Sequence, residues 1–407
     1  MALCKNQNVK KALLEVPYLN MKYIMCVLAV FFCFSCQMQK EKKVESVIVD
    51  INLHNSRNYT IFELIDSVRL IQLETTDESL IGFISKIYFD DNKLIVFDIS
   101  QKQVLVFNED GTFINKIHNV GQGPGEYVAM DCGLYDNINK NIIIYGGKKM
   151  LYYTLEGKLI REISRFNNNA IIRDLVNLPN GNFLCYTYDL RQKDVGKNAS
   201  GLWKVDSEGN FIHSFFTIKE LYPIIYNQDN SCLQLLPGNR IMIRDAQFNE
   251  IYYLDNDSLK RIITHKIRND VLPSFKGLTF TEEKYIKSLS SQEKENYIIT
   301  FWTDKVERFY TVYNKITEEN ILIYPSSSLW QTFNAVQPTS WNMNFIDNNK
   351  YDILITALSG EAIIDYLNTE HNISSSIHDT LKEIIEGMSE SEILEMNPAL
   401  QLLYVKK

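Results

Sequence analysis

The chain has 407 residues, of which 45% are hydrophobic and 12% aromatic, and a formal net charge of −8. This is the composition of a folded globular body, with too few Gly and Pro for a fibrous or low-complexity chain. Beyond residue 35, 38 basic side chains stand against 49 acidic ones, a balance of −11, and no basic run carries interleaved aromatics; nucleic acid is therefore set aside as a partner.

Met21-Lys22-Tyr23 opens an apolar run, Ile24 to Phe34, that closes on Ser35-Cys36. A positive start, about a dozen apolar residues and a small residue at the end make a secretory signal. The run is short of the roughly 20 residues that span a bilayer. Cysteine directly after Ser35 resembles the bacterial lipoprotein signal, in which that residue receives lipid. Residues 1–35 are thus expected to be a signal segment, with Met21 as the better start, Cys36 as the lipidation site and 36–59 as a tether. The alternatives are an ordinary signal cut nearby or an uncleaved anchor. Lipid on Cys36 would hold the body at a membrane of the bacterial envelope without burying it. Beyond the signal only Cys132, Cys185 and Cys232 remain. They are far apart and odd in number, so they suggest buried filler, not a disulfide framework or a metal site.

From about residue 68 the chain reads as short strands in a repeating order. The runs 93–98, 103–107 and 113–117 recur as 141–145, 150–153 and 159–163, as 182–186, 201–205 and 211–215, and as 240–245, 251–254 and 259–263. A looser copy covers 297–302, 309–313 and 320–323. Between the last two strands sits a tight turn, at 111, 157, 209 and 258, spaced by 46, 52 and 49 residues. Four strands per unit at that period are the signature of propeller blades. A two-residue hairpin needs positive φ, which Gly, Asn and Asp tolerate. Trp341–Ile346 and Tyr351–Thr356 suggest a sixth blade without an outer strand, and Ser67–Glu74 is a strand without a blade. Pairing the two would close a six-bladed ring and remove its open edges. The fold class is therefore an all-β, six-bladed β-propeller over 60–407, with a short helical C-terminal segment at 376–398.

In that segment Leu381, Ile384, Ile385 and Met388 fall at helical spacing, with Ser376 or Asp379 as cap and Pro398 as stop. Leu400–Val405 would add a last edge strand, and Thr281–Asn296 reads as a polar, helix-like insertion.

Leu73-Glu74-Thr75-Thr76 with Leu80-Ile81-Gly82, the Gly121-Gln122-Gly123-Pro124-Gly125-Glu126-Tyr127 loop and Asn397-Pro398 resemble the six-bladed propeller lipoproteins of Bacteroides-type bacteria, relatives of NHL-repeat propellers. The resemblance implies the fold and an envelope location, and carries no settled activity.

The Gly-rich loop lacks the Lys-Ser or Lys-Thr and the following helix of a phosphate cradle. It is expected to be a fixed crossing from one blade to the next, with Gln122, Glu126 and Tyr127 as ligand-face candidates. Asp98, Asp189 and Asp245 recur at strand ends, where Asp bonds to the following turn. The six histidines show no metal spacing, and there is no nucleophile elbow. No catalytic residue, metal ligand or cofactor is assigned. The first reading is a binding or scaffold lipoprotein whose loop face takes a glycan, a peptide or an envelope protein. The alternative is a lactonase-like hydrolase or lyase with a divalent cation in the channel, which rests on fold analogy alone.

Overall fold

The computed structural model describes residues 47–52, 65–164, 172–187, 201–217, 232–245, 250–268, 287–303, 308–323, 352–368 and 375–405. These form six sheets arranged as the blades of a propeller. Blade 1 is β3 (Lys86–Asp90), β4 (Lys93–Asp98), β5 (Gln103–Asn108) and β6 (Phe113–Ile117). Blade 2 is β7 (Cys132–Asp136), β8 (Asn141–Gly146), β9 (Lys149–Tyr153) and β10 (Leu159–Ile163). Blade 3 is β11 (Ile172–Asn177), β12 (Phe183–Thr187), β13 (Gly201–Val205) and β14 (Phe211–Thr217). Blade 4 is β15 (Leu233–Leu235), β16 (Ile241–Asp245), β17 (Glu250–Asp255) and β18 (Ser258–Arg268), and blade 5 is β19 (Lys287–Glu293), β20 (Tyr297–Thr303), β21 (Arg308–Asn314) and β22 (Asn320–Ile323).

Blade 6 closes the ring. It is built from β23 (Asp352–Leu358), β24 (Ala399–Val405) and, from the other end of the chain, β2 (Ile65–Gln72), in the order β2-β24-β23. The early orphan strand thus pairs into the last blade, as its pattern predicts; its expected companion Trp341–Ile346 lies outside the described residues. Leu400–Val405 is not an edge strand. It lies between two neighbours, pairing on one side Ile71 with Leu400 and on the other Ala357 with Leu400, as suits a strand buried nearly throughout.

Aliphatic side chains from facing blades make the cores between them. Leu105 and Phe107 of blade 1 pack with Ile355 and Leu402 of blade 6, and Leu184 and Leu202 of blade 3 with Ile241 and Ile243 of blade 4. Each face of a strand is thereby covered, which explains the nearly unbroken apolar runs of β4, β8 and β12.

The outer hairpins hold a different turn from the two-residue one expected. Asn108 N donates to Thr112 O and Gly111 N to Asn108 O, and the same pair of bonds recurs at 154–158 and 206–210. Three residues are looped out, and the third, Gly111, Gly157 or Gly209, has φ of 93°, 83° or 84°. This is the type I turn with a left-handed glycine, whose twist also matches the strands. Only blade 4 uses two residues there, Asn256 and Asp257, both left-handed. The acidic turn residues join blades: Arg69 of blade 6 donates to the carbonyl of Glu109, Arg161 of blade 2 pairs with Glu208 of blade 3, and Lys204 of blade 3 lies 2.7 Å from Asp257 of blade 4.

Three further expectations are corrected. Lys287–Glu293 of the helix-like insertion is β19, an inner strand; its polar residues find partners there, such as Ser291 with Thr300 at 3.0 Å. The C-terminal helix divides into α2 (Ser375–Ile385) and α3 (Glu390–Glu395), because Gly387 takes φ 78° and Ser389 starts a new helix with a capping box to Glu392. Ser376 and Asp379 lie inside α2, so neither caps it. A further helix, α1 (Gly360–Asn368), precedes them, and the three pack through Ile363, Leu381 and Ile393. Finally, β1 (Val47–Asn52), within the stretch read as tether, adds a parallel fifth strand to β18.

The residues that carried the family resemblance meet in space. Asn397, 2% exposed, donates through Nδ2 to the carbonyls of Glu74 and Ser79, accepts from Ile81 N and donates its own N–H to Thr75 Oγ1. Its carbonyl accepts from Gln72 Nε2 at 2.7 Å. Glu74 turns the other way and accepts from Phe113 N. One side chain therefore joins blade 6 to the entry of blade 1.

Candidate functional site

The inner strands bring a buried ion pair to the centre of the ring. Lys86 on β3 lies 2.7 Å from Asp174 on β11 and also donates to the carbonyl of Gly133 on β7. The second carboxylate oxygen of Asp174 accepts from the backbone N–H groups of Cys232 and Leu233, at 2.7 Å each, where the chain enters β15. Leu175 N donates to the first oxygen. Four blades are therefore tied by one pair whose side chains are 6% and 1% exposed. Burial pulls the Lys86 ammonium towards its neutral form, but the Asp174 carboxylate reverses this and holds the pKa above the ordinary lysine value. With four donors on it, Asp174 is committed to structure. The three cysteines are free and buried, as expected, and burial pushes the Cys132 and Cys185 thiols up, away from the reactive thiolate.

Where β7 and β11 end, a small cleft of about 40 Å³ opens to solvent. It is lined mainly by blades 2, 3 and 4, with Asp136 and Ile138 from blade 2, Asn177 and Pro179 from blade 3 and Asn239 from blade 4, and also by Tyr88 of blade 1. Tyr88 and Tyr135, edge to face with centroids 6.0 Å apart, reach the cleft from the core and are only 4% and 3% exposed. Asp136 is saturated: it accepts from Ile138 N, Asn139 N, Asn139 Nδ2 and Asn177 Nδ2. That last bond fixes the Asn177 amide, since a flip would set oxygen against oxygen. Among the described residues Asn177 Oδ1 is left as a buried acceptor without a partner. The Tyr135 hydroxyl donates to Asp90, and burial, helped by that carboxylate, raises its pKa so that it remains a donor.

The Gly-rich loop serves the opposite ends of the inner strands, because it leads into β7 while the cleft gathers where β7 stops. Of the three ligand-face candidates, Gln122 is exposed. Glu126 folds back, accepting from Gly123 N at 2.8 Å. Tyr127 is fully buried, with its hydroxyl donating to the carbonyl of Lys102. None of the three lines the cleft. Cys36 and Asp189 lie outside the described residues, as does the side chain of Asp245. Asp98 is buried and bonds to the turn that follows, accepting from Ser100 Oγ and Gln101 N, and to Gly82 N. Among the described residues no three His, Cys, Asp or Glu side chains converge as metal ligands. Sequence reasoning missed the Lys86–Asp174 pair and Asn177 alike; both inner strands carry a second charge, Asp90 on β3 and Arg173 on β11, so nothing local singles out the pair.

The loop is latched to blade 2. Gly125, at φ 73°, donates to Glu162 Oε2 at 2.7 Å, and Lys149 lies 3.1 Å from the same carboxylate. The Gly125 bond, aided by Lys149, holds Glu162 below the usual carboxylate range. A depressed carboxylate stabilises above its unfolded pKa, about 4.3, and that stability is lost as pH falls through the folded value. Hydrogen exchange at residues 121–127 is therefore expected to quicken below about pH 4, and Glu162→Gln to remove that acid step. Gly125→Val is expected to cost about 1–3 kcal/mol in chemical denaturation. Gly123→Val costs less, since Gly123 has no left-handed backbone to strain.

The sequence profile of a domain of unknown function, DUF4934, matches residues 46–404. The chain belongs to this family. The match begins at β1, so the added strand of blade 4 is part of the family's shared region. Among solved structures, a protein of Bacteroides fragilis described as exported is similar at 16% identity and a TM-score of 0.69, over 89% of this chain and 100% of its own. A member of the DUF4221 family from Bacteroides vulgatus is similar at 10% identity and a TM-score of 0.49, over 84% of this chain and 96% of its own. No curated protein is similar enough to the chain to count as a relative. Among the described residues no helix is long and apolar enough to cross a membrane.

Proposed function

We propose that this member of the DUF4934 family is an exported, lipid-anchored binding module of the cell envelope that takes a glycan at the cleft between blades 2, 3 and 4. The observation that carries the reading is Asn177 Oδ1, an acceptor held in place by Asp136 and left unmatched among the described residues, beside Tyr88 and Tyr135. A sugar ring offers hydroxyl donors on its rim and an apolar C–H face, which suits one fixed acceptor and the small exposed parts of Tyr88 and Tyr135. Asp136, which lines the cleft, is engaged by other protein groups, which favours recognition over acid–base chemistry.

Titration calorimetry against a panel of bacterial and host oligosaccharides tests the site. A binding sugar is expected to lose about tenfold or more in affinity with Asn177→Ala and to be unaffected by Gln122→Ala. Binding that survives Asn177→Ala unchanged places the ligand elsewhere; a panel without a binder counts against glycan as the ligand. Anchoring is tested separately: Cys36→Ala should move the protein from the membrane to the soluble fraction, and unchanged membrane association removes Cys36 as the lipid carrier.

A further inference from the structure

We infer that the outer edge of blade 4 is the surface with which the anchored protein meets the membrane, and that it fits anionic lipid headgroups. The inference rests on the lipid-anchor reading of Cys36. Its own ground is the charge of the strand that ends each blade's own meander, which in blade 4 is β18, flanked by β1 as the edge strand. β18 carries Lys260, Arg261, Lys266 and Arg268 and no acidic residue, a balance of +4. None of the other outer strands, β2, β6, β10, β14 and β22, exceeds +1. Such a strand is out of keeping with a body of net charge −11, and charge of one sign concentrated on one flank is what orients a protein at a charged surface.

The exposed members are available for that contact. Lys260 is exposed and has no ion-pair partner among the described residues. Arg261 is half exposed while holding Glu250 at 2.8 Å. Lys266 and Arg268 occupy alternate register positions opposite Asp50 and Asn52 of β1, and Asp50 is the one charge β1 contributes.

The strand that covers this edge is also the one nearest the anchor in sequence. β1 runs parallel to β18, and Val47 packs against the core shared by blades 4 and 5. Blade 1, on the far side of the ring, exposes Ile114 on β6 and has no comparable charge.

The test uses the full lipidated chain, reconstituted through its own anchor into vesicles that contain brominated lipid. A bimane probe is placed at Lys260→Cys or Ile114→Cys; the native Cys132, Cys185 and Cys232 are buried and do not compete for label. In phosphatidylethanolamine–phosphatidylglycerol vesicles the probe at 260 is expected to be quenched several-fold more than the probe at 114. The difference should shrink in phosphatidylcholine vesicles or at high salt. Equal quenching at both sites, or stronger quenching at 114, overturns the proposed orientation. Quenching at 260 that ignores lipid charge and salt overturns the headgroup assignment. If the chain is not retained by vesicles at all, the anchor reading fails, and this inference fails with it.

Discussion

Asn397→Ala is expected to lower the free energy of unfolding by about 3–5 kcal/mol, because it strips a partner from several buried backbone groups at once. The carbonyl of Ser79 and the N–H of Ile81 lose this partner, the Glu74 carbonyl keeps only its bond from Ser79 Oγ, and no water route is open at a residue 2% exposed. Against a typical stability of about 5–15 kcal/mol, that is a large share. Asn397→Asp separates the two halves of the amide. It keeps the acceptor for Ile81 but sets a carboxylate oxygen against two carbonyls, so it should be at least as damaging at neutral pH and partly recover in acid. Urea melts of the three proteins decide the matter. Equal stability of wild type and Asn397→Ala would show that blade 6 is held by β2–β24 pairing alone.

Lys86→Met is expected to cost about 3–5 kcal/mol, the usual cost of leaving one buried charge without its partner. Asp174→Ala should cost more, since it also strips the N–H groups of Cys232 and Leu233 of their acceptor. The double variant Lys86→Met with Asp174→Ala should be less destabilised than the sum of its singles, and that coupling is the measure of the pair. A coupling near zero in the double-mutant cycle would sink the claim. The pH dependence has a definite sign. A lysine whose pKa is raised on folding contributes stability that is complete below its unfolded value, about 10.4. That stability is lost as pH rises through the folded value. The wild type should therefore lose stability only in strongly alkaline solution, and Lys86→Met should lack that step.

Much of the ring was legible because the outer three strands of each blade alternate with turns that need unusual backbone. Gly111, Gly157 and Gly209 mark the period, and their positive φ is the physical reason. The number of looped residues was not legible, since both turn types accept the same residues. Inner strands were harder to see. β19 reads Lys-Ser-Leu-Ser-Ser-Gln-Glu, which resembles a polar helix until its partners in β20 are known. The site was hidden more deeply. Lys86 and Asp174 are 88 positions apart, and Asn177 becomes a candidate acceptor only once Asp136, 41 positions away, fixes its amide. Asn397-Pro398 was visible as a family mark, but its purpose was not, because all its side-chain partners lie more than 300 positions upstream.

The closing of blade 6 also sets a timetable. β2 emerges early in synthesis and its partner β24 near the very end, with Gln72 and Asn397 separated by 325 positions. Contacts of such separation form late, after nearer hairpins have shortened the loop that must be closed. Until then β2 is an unpaired strand, and the sheet it completes has an open edge on which another chain can pair. During synthesis the protein is therefore most exposed to misassembly in the interval before β24 arrives, and a holding chaperone would find its target in the Ile65–Gln72 segment.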